Sequence, residues 1–318
     1  MPMSLPEIRA LPALLRPPRN RPVLVAGAHD GMTARLAQRN GFGAVWASGF
    51  SLATSHAVPD ASVLSMSESL AAVRMMRAAT DLPIIADCDT GFEDTADITS
   101  LVQSYEAAGV SAVCIEDKAF PKYNSFLSAP QTLETTSVFS AKIEAAKKAQ
   151  RGTGFMVAAR TEAFIAGLGA RQAIARAEAY VNAGADMILV HSKASSPHEI
   201  YEFMELWDHR SPVAVIPTSY HGVTIDELGS AGIAMVIYAH HAMRAAARAV
   251  NMALRSIIDA GTTTHIEKDL ATLQEVFEIQ GATGLRGSRS AGGEAGSRTR
   301  NASKNFISPG DGTGRDTV

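Results

Sequence analysis

Residues 107–118 read "AAGVSAVCIEDK" and residues 182–193 read "NAGADMILVHSK". In both stretches a glycine closes an alanine-rich segment, as glycine commonly does at a helix end. A short apolar run follows, Ala112–Ile115 in one and Met187–Val190 in the other. Such runs, bounded on both sides and too short for a helix, read as strands buried on both faces. Each run then ends on polar side chains: Glu116-Asp117-Lys118 in the first, His191-Ser192-Lys193 in the second.

The same unit recurs along the chain. Candidate strands are Val23–Ala26, Ala44–Ala47, Ile84–Ala86, Ala112–Ile115, Phe155–Ala159, Met187–Val190, Val213–Ile216 and Met235–Tyr238. Helix-like stretches separate them, at Met32–Asn40, Ser67–Ala79, Thr95–Ala108, Ser140–Gln150, Arg171–Ala183, Pro197–Leu206 and Thr224–Ala231; Ala242–Ala260 and Asp269–Gln280 follow the last strand. Eight strands alternating with helices predict an α/β protein of the (β/α)8 TIM-barrel type with extra C-terminal helices. A doubly wound sheet would call for a Gly-x-Gly-x-x-Gly turn after the first strand, and "VAGAHDGM" at 25–32 does not supply it.

Composition bounds the rest. The chain has 318 residues, 46% hydrophobic and 19% charged, with a net charge of −3, which suits a large core and gives no footprint for nucleic acid. No apolar stretch reaches membrane-spanning length, and Cys88 and Cys114 lie in apolar surroundings without a Cys-x-x-Cys pattern. The expectation is a reduced, cytoplasmic protein with no membrane or nucleic-acid partner. Residues 284–318 hold eight glycines and few large apolar groups, so they are expected to be a disordered tail. Residues 1–20 read as an N-terminal extension and 21–283 as the barrel.

In this barrel, chemistry belongs to the loops that follow the strands. Trp46-Ala47-Ser48-Gly49 ends the second strand and Asp60 follows in its loop; "ADCDTG" ends the third, with Asp87 and Asp89; Glu116 ends the fourth, Arg160-Thr161-Glu162 the fifth and His191 the sixth. Asp87 and Asp89, two apart on an extended chain, point to one side. With Asp60 and Glu116 they form four carboxylates that would repel one another without a cation. Oxygen-only ligation fits Mg²⁺, whereas His29, His56, His240 and His241 offer no zinc spacing. The acids could instead cap helices or pair with basic residues, and Arg160 could pair with Glu116 or Glu162 rather than bind an anion. Ser48 lacks a nucleophile elbow and fits better in a donor-rich turn for a substrate carboxylate.

The stretches "WASGFSLATSHAVPD", "ADCDTGF", "EDKAFPKYNS", "ARTEAFIAGLG", "AGADMILVHSK" and "VIPTSY" resemble, in order and over about residues 20–282, the phosphoenolpyruvate mutase/isocitrate lyase superfamily, and its mutase branch most closely. The resemblance implies a small anionic substrate, phosphoenolpyruvate or phosphonopyruvate, and a Mg²⁺ ion held directly by Asp87 and through water by Asp60, Asp89 and Glu116. It implies that the backbones of Ser48 and Gly49, near Trp46, hold the substrate carboxylate, and that Arg160 and His191 meet the phosphoryl end. Asp60, Lys122 and Asn124 become candidate catalytic residues. A mobile gate beginning at Lys118 would carry Lys122, Asn124 and Ser125 over the site. It also implies dimers paired as tetramers.

Two departures matter. The lyase branch carries a cysteine in its gate, but here the gate reads Phe120-Pro121-Lys122-Tyr123-Asn124-Ser125. His240 stands where relatives typically have Asn. The hydrolase branch, which shares nearly every motif, lacks the gate asparagine present here as Asn124, so the mutase is the expectation and phosphonopyruvate hydrolase the alternative.

Overall fold

The computed structural model describes residues 10–16, 21–92 and 98–282. The expected tail at 284–318 and the start of the helix expected from Thr95 lie outside these residues. Eight parallel strands close into a barrel in chain order: β1 (Val23–Ala28), β2 (Ala44–Ala47), β3 (Ile84–Asp87), β4 (Ala112–Glu116), β5 (Met156–Thr161), β6 (Met187–Val190), β7 (Val213–Val215) and β8 (Met235–Tyr238). β8 pairs with β1, Val23 opposite Met235, to complete the ring.

The sorting of side chains follows from the period of two along a strand. Val25, Trp46, Ile85, Cys114, Ala158, Leu189, Ala214 and Ile237 form one buried cluster inside the barrel. The residues between them, such as Val45, Ala86, Val113, Ala159, Ile188 and Val236, join a second cluster beneath the helices. Burying both faces is what makes these strands continuous apolar runs rather than alternating ones. Where β1 meets the end of β8 the backbones nearly touch: a Cβ on Gly27 would stand 1.8 Å from the Ala239 carbonyl oxygen, so only glycine fits.

Helices α2 (Gly31–Arg39), α4 (Met66–Ala79), α5 (Ile98–Ala107), α6 (Thr136–Ala149), α7 (Gly169–Asn182), α8 (His198–Trp207), α9 (Ile225–Ser230) and α10 (His241–Ala260) follow the strands. Their starts are written in the sequence as caps. Asp30, Ser65 and Thr224 each accept from the third residue of the helix they open, whose side chain reaches back to the cap, the reciprocal capping box.

Two short helices were not anticipated. α1 (Leu11–Leu14) belongs to the stretch expected to be an extension, yet Leu11 and Leu15 are buried in the cluster inside the barrel. The helix sits at the end where the strands begin, with Leu14 near Gly43 and Pro83 and Leu15 near Pro212. α3 (Gly49–Ser55) follows β2 directly, capped by the Ser48 hydroxyl, which accepts from Ser51 N–H at 3.2 Å. Residues 272–282 form a separate unit carrying α11 (Leu273–Gln280), capped by Thr272 and closed by Gly281 in the left-handed region.

Candidate active site

The inward period of the strands continues past the apolar core. Two residues beyond Trp46, Ile85, Cys114, Ala158, Leu189 and Ile216 stand Ser48, Asp87, Glu116, Arg160, His191 and Thr218, and all of these line one cavity of about 290 Å³. Asp60, Lys118, Lys122, Asn124, Ser125 and Phe126 complete its wall from the loops after β2 and β4, with Phe50, His240 and Arg244 on the side of α3 and α10.

The loop after β4 folds back over this cavity. Lys118 and Leu133 form an isolated antiparallel bridge, Ala119 N–H donates to Thr132 O at 2.9 Å, and Glu134 N–H donates to Asp117 O at 2.9 Å. Between these clasped stems the tip is tied on two sides. Lys122 N–H donates to Ser62 Oγ at 3.2 Å, and Asn124 Nδ2 donates to Asp60 Oδ2 at 2.7 Å. Lys122 Nζ lies 3.0 Å from Asp60 Oδ1 and 2.5 Å from Asp89 Oδ1. Ser125 donates from its hydroxyl to Glu162 Oε2 at 3.0 Å.

The four expected acids do come together, but not by one route. Asp87 ends β3 at the inward position. Asp89 lies beyond the strand, in a turn with φ of 50°, so strand alternation does not carry it. It borders a recess beside the main cavity with Gly49, Asp60, Asp87 and Phe92. Its carboxylate reaches the group through the turn.

Two expected donors are already engaged. The Ser48 N–H donates to Ala28 O at 3.1 Å, and the Gly49 N–H donates to Asp87 Oδ2 at 3.2 Å. The sheet thus uses the Ser48 N–H, and the Gly49 N–H, expected to face a substrate carboxylate, here meets the carboxylate of the β3 acid. The Ser48 hydroxyl, which accepts from Ser51, still has its own proton to donate.

Electrostatics divide the cavity into a side with unmet negative charge and a side that is balanced. Burial raises the Asp87 carboxyl above its ordinary range, more strongly than Lys122 and Arg160 lower it. Burial likewise pushes Asp89 up to about 7, with Asp87 and Asp60 adding to it against the pull of Lys122. Asp60 ends below its ordinary range because Lys122 and Asn124 outweigh its burial. Glu116 Oε1 is buried without a hydrogen-bond partner. A buried oxygen without a partner beside desolvated carboxyls is an arrangement that a cation would satisfy. Among the described residues no three His, Cys, Asp or Glu side chains converge closely enough to ligate one ion directly. The oxygen-only donor set of Asp60, Asp87 and Glu116 around the cavity is of the kind that suits a hard divalent cation.

Opposite lies Glu162, absent from the expected site. It is fully buried, and burial opposes its charge. Arg160, His191 and Lys118 nonetheless hold its carboxyl well below the ordinary range. Arg160 Nε donates to Glu162 Oε1 and lies 3.3 Å from Glu116 Oε2. His191 Nδ1 stands 2.8 Å from both Arg160 Nη2 and Glu162 Oε1. Burial holds the His191 ring below its ordinary range, so it is neutral near pH 7. The signal for Glu162 was present: it lies two residues past Arg160 and was read only as a partner for it. Asp117, next to Glu116 on the opposite parity, is a scaffold group that accepts from Tyr180 OH at 2.7 Å, Glu162 N–H at 2.8 Å and Arg176 Nη1 at 3.0 Å.

A closed parallel barrel with acids at the ends of its second to fourth strands, one arginine from its fifth and a lysine- and amide-bearing loop across the mouth defines an enzyme that takes a small molecule at the strand ends. The chain belongs to the phosphoenolpyruvate phosphomutase family, whose model matches residues 13–258. It is 42% identical over 260 residues to the phosphoenolpyruvate phosphomutase of Tetrahymena pyriformis, covering 81% of this chain and 87% of that one. The crystal structure of the phosphoenolpyruvate phosphomutase from Streptomyces platensis subsp. rosaceus superposes with a TM-score of 0.85 at 44% identity, covering 88% of this chain and 97% of that one. A phosphonopyruvate hydrolase in complex with oxalate and Mg²⁺ superposes with a TM-score of 0.83 at 39% identity, covering 89% and 98%.

Proposed function

We propose that this chain is a Mg²⁺-dependent phosphoenolpyruvate mutase. The phosphorus of phosphoenolpyruvate leaves its enol oxygen and joins the methylene carbon, giving 3-phosphonopyruvate. One O–P bond breaks, one C–P bond forms, and the enol becomes a ketone, with no co-reactant. Mg²⁺, held by Asp87 and through water by Asp60, Asp89 and Glu116, would supply positive charge beside the substrate's carboxylate and enol oxygens.

The chain's own groups have the remaining tasks. Arg160 donates to a phosphoryl group from one wall, where His191 also lies, with Lys122 and Asn124 above it. Phosphoryl transfer through a loose transition state needs donors around the equatorial oxygens rather than a protein nucleophile. The Ser48 hydroxyl and the Trp46 ring bound the end suited to the carboxylate. The gate excludes water while the migrating group is detached from both atoms.

The observation that carries this reading is Asn124: its amide lies over the acids, 2.7 Å from Asp60, in a loop closed across the cavity. An amide that can turn from Asp60 to a phosphoryl oxygen favours recapture by carbon over capture by water. The hydrolase is a second reading, since the hydrolase structure matches almost as well as the mutase one. Phosphorus NMR with Mg²⁺ separates them: phosphonopyruvate becoming phosphoenolpyruvate supports the mutase, and phosphate with pyruvate as sole products overturns it. Asn124→Ala should cut mutase turnover ~10²–10³-fold, the cost of one transition-state donor, with oxalate binding retained; unchanged turnover would remove Asn124 from its role.

The proposal includes a cytoplasmic setting, in keeping with two free buried cysteines and with no helix among the described residues long and apolar enough to cross a membrane. It also includes a homo-oligomer, dimer or tetramer. α10 buries only Met243 and exposes Val250, Leu254 and Ile258 at spacings of four, an apolar face that a second copy would cover.

A further inference from the structure

We propose that Lys118 and Glu162 are positioning residues: they latch the gate shut through Ser125, and the same carboxylate fixes Arg160 and His191. Lys118 stands at the root of the gate, yet its ammonium reaches the tip. Nζ donates to Ser125 Oγ at 2.7 Å and to Tyr123 O at 2.9 Å, and lies 3.4 Å from Glu162 Oε2. The Ser125 hydroxyl passes the contact on to the same Glu162 oxygen at 3.0 Å. The side chains of Lys118 and Glu162 are 3% and 0% exposed, so these bonds are made away from competing water.

This arrangement reassigns Ser125. Its oxygen accepts from Lys118 and its proton goes to Glu162, so its one proton serves the latch rather than a ligand. The residues on either side of Asn124 are thereby tied to Lys118, which holds the amide where its own side chain meets Asp60. The other oxygen of Glu162 meets Arg160 and His191. One carboxylate thus joins the closed gate to the donors of the phosphoryl wall, and the donors are in register when the gate is down.

The latch is also built to release. When the tip lifts, Lys118 gives up a hydroxyl and a carbonyl, both of which water can replace, but keeps Glu162 as its counter-ion. Opening therefore leaves neither Lys118 nor Glu162 as an unpaired buried charge, which would be the costly outcome.

Two measurements test this, on Ser125→Ala, Lys118→Met, their double variant and the conservative Ser125→Thr. The first is trypsin cleavage after Lys122 in the presence of Mg²⁺ and oxalate; it needs no assumption about the reaction. Losing a charge-assisted hydrogen bond should speed cleavage about tenfold. The effects of the two single variants should combine less than additively, because both remove the Lys118–Ser125 hydrogen bond, and Ser125→Thr should stay near the parent. The second, which rests on the mutase reading, is the ratio of phosphate to phosphoenolpyruvate formed from phosphonopyruvate. It should rise about tenfold in the Ala and Met variants as water reaches the detached group. Parent-like cleavage rates in the folded variants would overturn the latch, as would additive effects in the double variant. A raised KM with an unchanged product ratio would overturn it too, by returning Ser125 to direct substrate contact. If the parent itself shows no mutase activity, the mutase reading fails while the cleavage result still decides the latch.

Discussion

Gly49→Ala separates the stability of the barrel from the geometry of its acids. Gly49 is the first residue of α3, with ordinary helical backbone, so alanine suits the helix and gains up to ~1 kcal/mol of propensity. The new Cβ, however, would stand 3.2 Å from Asp89 Oδ1, 3.3 Å from Asp87 Oδ2 and 3.6 Å from Asp87 Cγ. The two oxygen contacts are roughly 0.2–0.3 Å inside comfortable distance. Asp87 cannot back away freely, because its Oδ2 is held by the Gly49 N–H beside the intruding methyl. The acids must therefore shift by a few tenths of an ångström at the proposed Mg²⁺ position, and disturbances of this kind cost about 10- to 100-fold in metal affinity. The expected outcome is a melting temperature equal to the parent's or slightly higher. The Mg²⁺ concentration for half-maximal activity should rise at least about tenfold, and calorimetric titration with Mg²⁺ should weaken to match. An intact fold with an unaltered Mg²⁺ dependence would refute the argument. So would a sharp fall in melting temperature, which would mean that the methyl disrupts α3 rather than nudging the acids.

Glu162→Gln leaves Arg160 and Lys118 buried without their shared counter-ion, so it should cost about 3–5 kcal/mol in a guanidinium titration; a loss below ~1 kcal/mol would show the carboxylate to be dispensable there. Asp87→Asn removes a charge that burial disfavours, so the metal-free protein should melt at an equal or higher temperature than the parent while the stabilisation normally gained on adding Mg²⁺ is lost; a clear drop without metal would count against a cation-seeking Asp87. Burial, with His241 and Arg244 adding to it, pushes the His240 ring down to about 4. The unfolded chain takes that proton near the ordinary 6.5 and the folded chain only near 4, so the folded state is disfavoured as pH falls through that window. The parent should accordingly lose stability relative to His240→Asn between pH 6.5 and 4, and parallel stability–pH curves would contradict this.

The barrel was legible because its strands are buried on both faces and end on polar residues at a fixed parity. Asp87, Glu116, Arg160 and His191 could be picked out from the sequence since each stands two residues past an interior apolar one. Legibility failed where the chain leaves the strand. α3 was read as a turn because a helix of this length, following directly on β2, carries little periodicity and announces itself only through the Ser48 cap. α1 hid among prolines, and only the packing of Leu11 and Leu15 inside the barrel reveals its purpose. The Lys118–Ser125–Glu162 chain could not be seen at all, because it depends on a loop folding back by several residues onto a different strand end. Strand parity dictates direction within a sheet, but nothing comparable dictates which loop residue meets which.

Charge at the mouth explains why a divalent ion and a lysine-bearing gate belong together. Asp60, Asp87, Asp89, Glu116 and Glu162 bring five carboxylates into contact with one another's fields, against the three cations Lys118, Lys122 and Arg160, with His191 neutral. The pairs are not interchangeable. Lys118 and Arg160 meet Glu162 and Glu116 on the β4–β5 side, where burial and balance coincide. Lys122 alone faces Asp60 and Asp89, and Asp87 has only a backbone N–H. The formal excess of two negative charges sits on the β2–β3 side, which is where burial raises Asp87 and Asp89. One Mg²⁺ carries the matching charge. On the proposed gate and metal site, the Lys122 ammonium would be close to the acids only while the loop is down, and lifting the loop would leave their repulsion to the metal alone. The gate is thus drawn shut by the same carboxylates that call for the ion, and replacing Lys122 by methionine should both slow closure and tighten the dependence of the fold on Mg²⁺, whereas a neutral response in the two together would mean the acids are balanced by some other group.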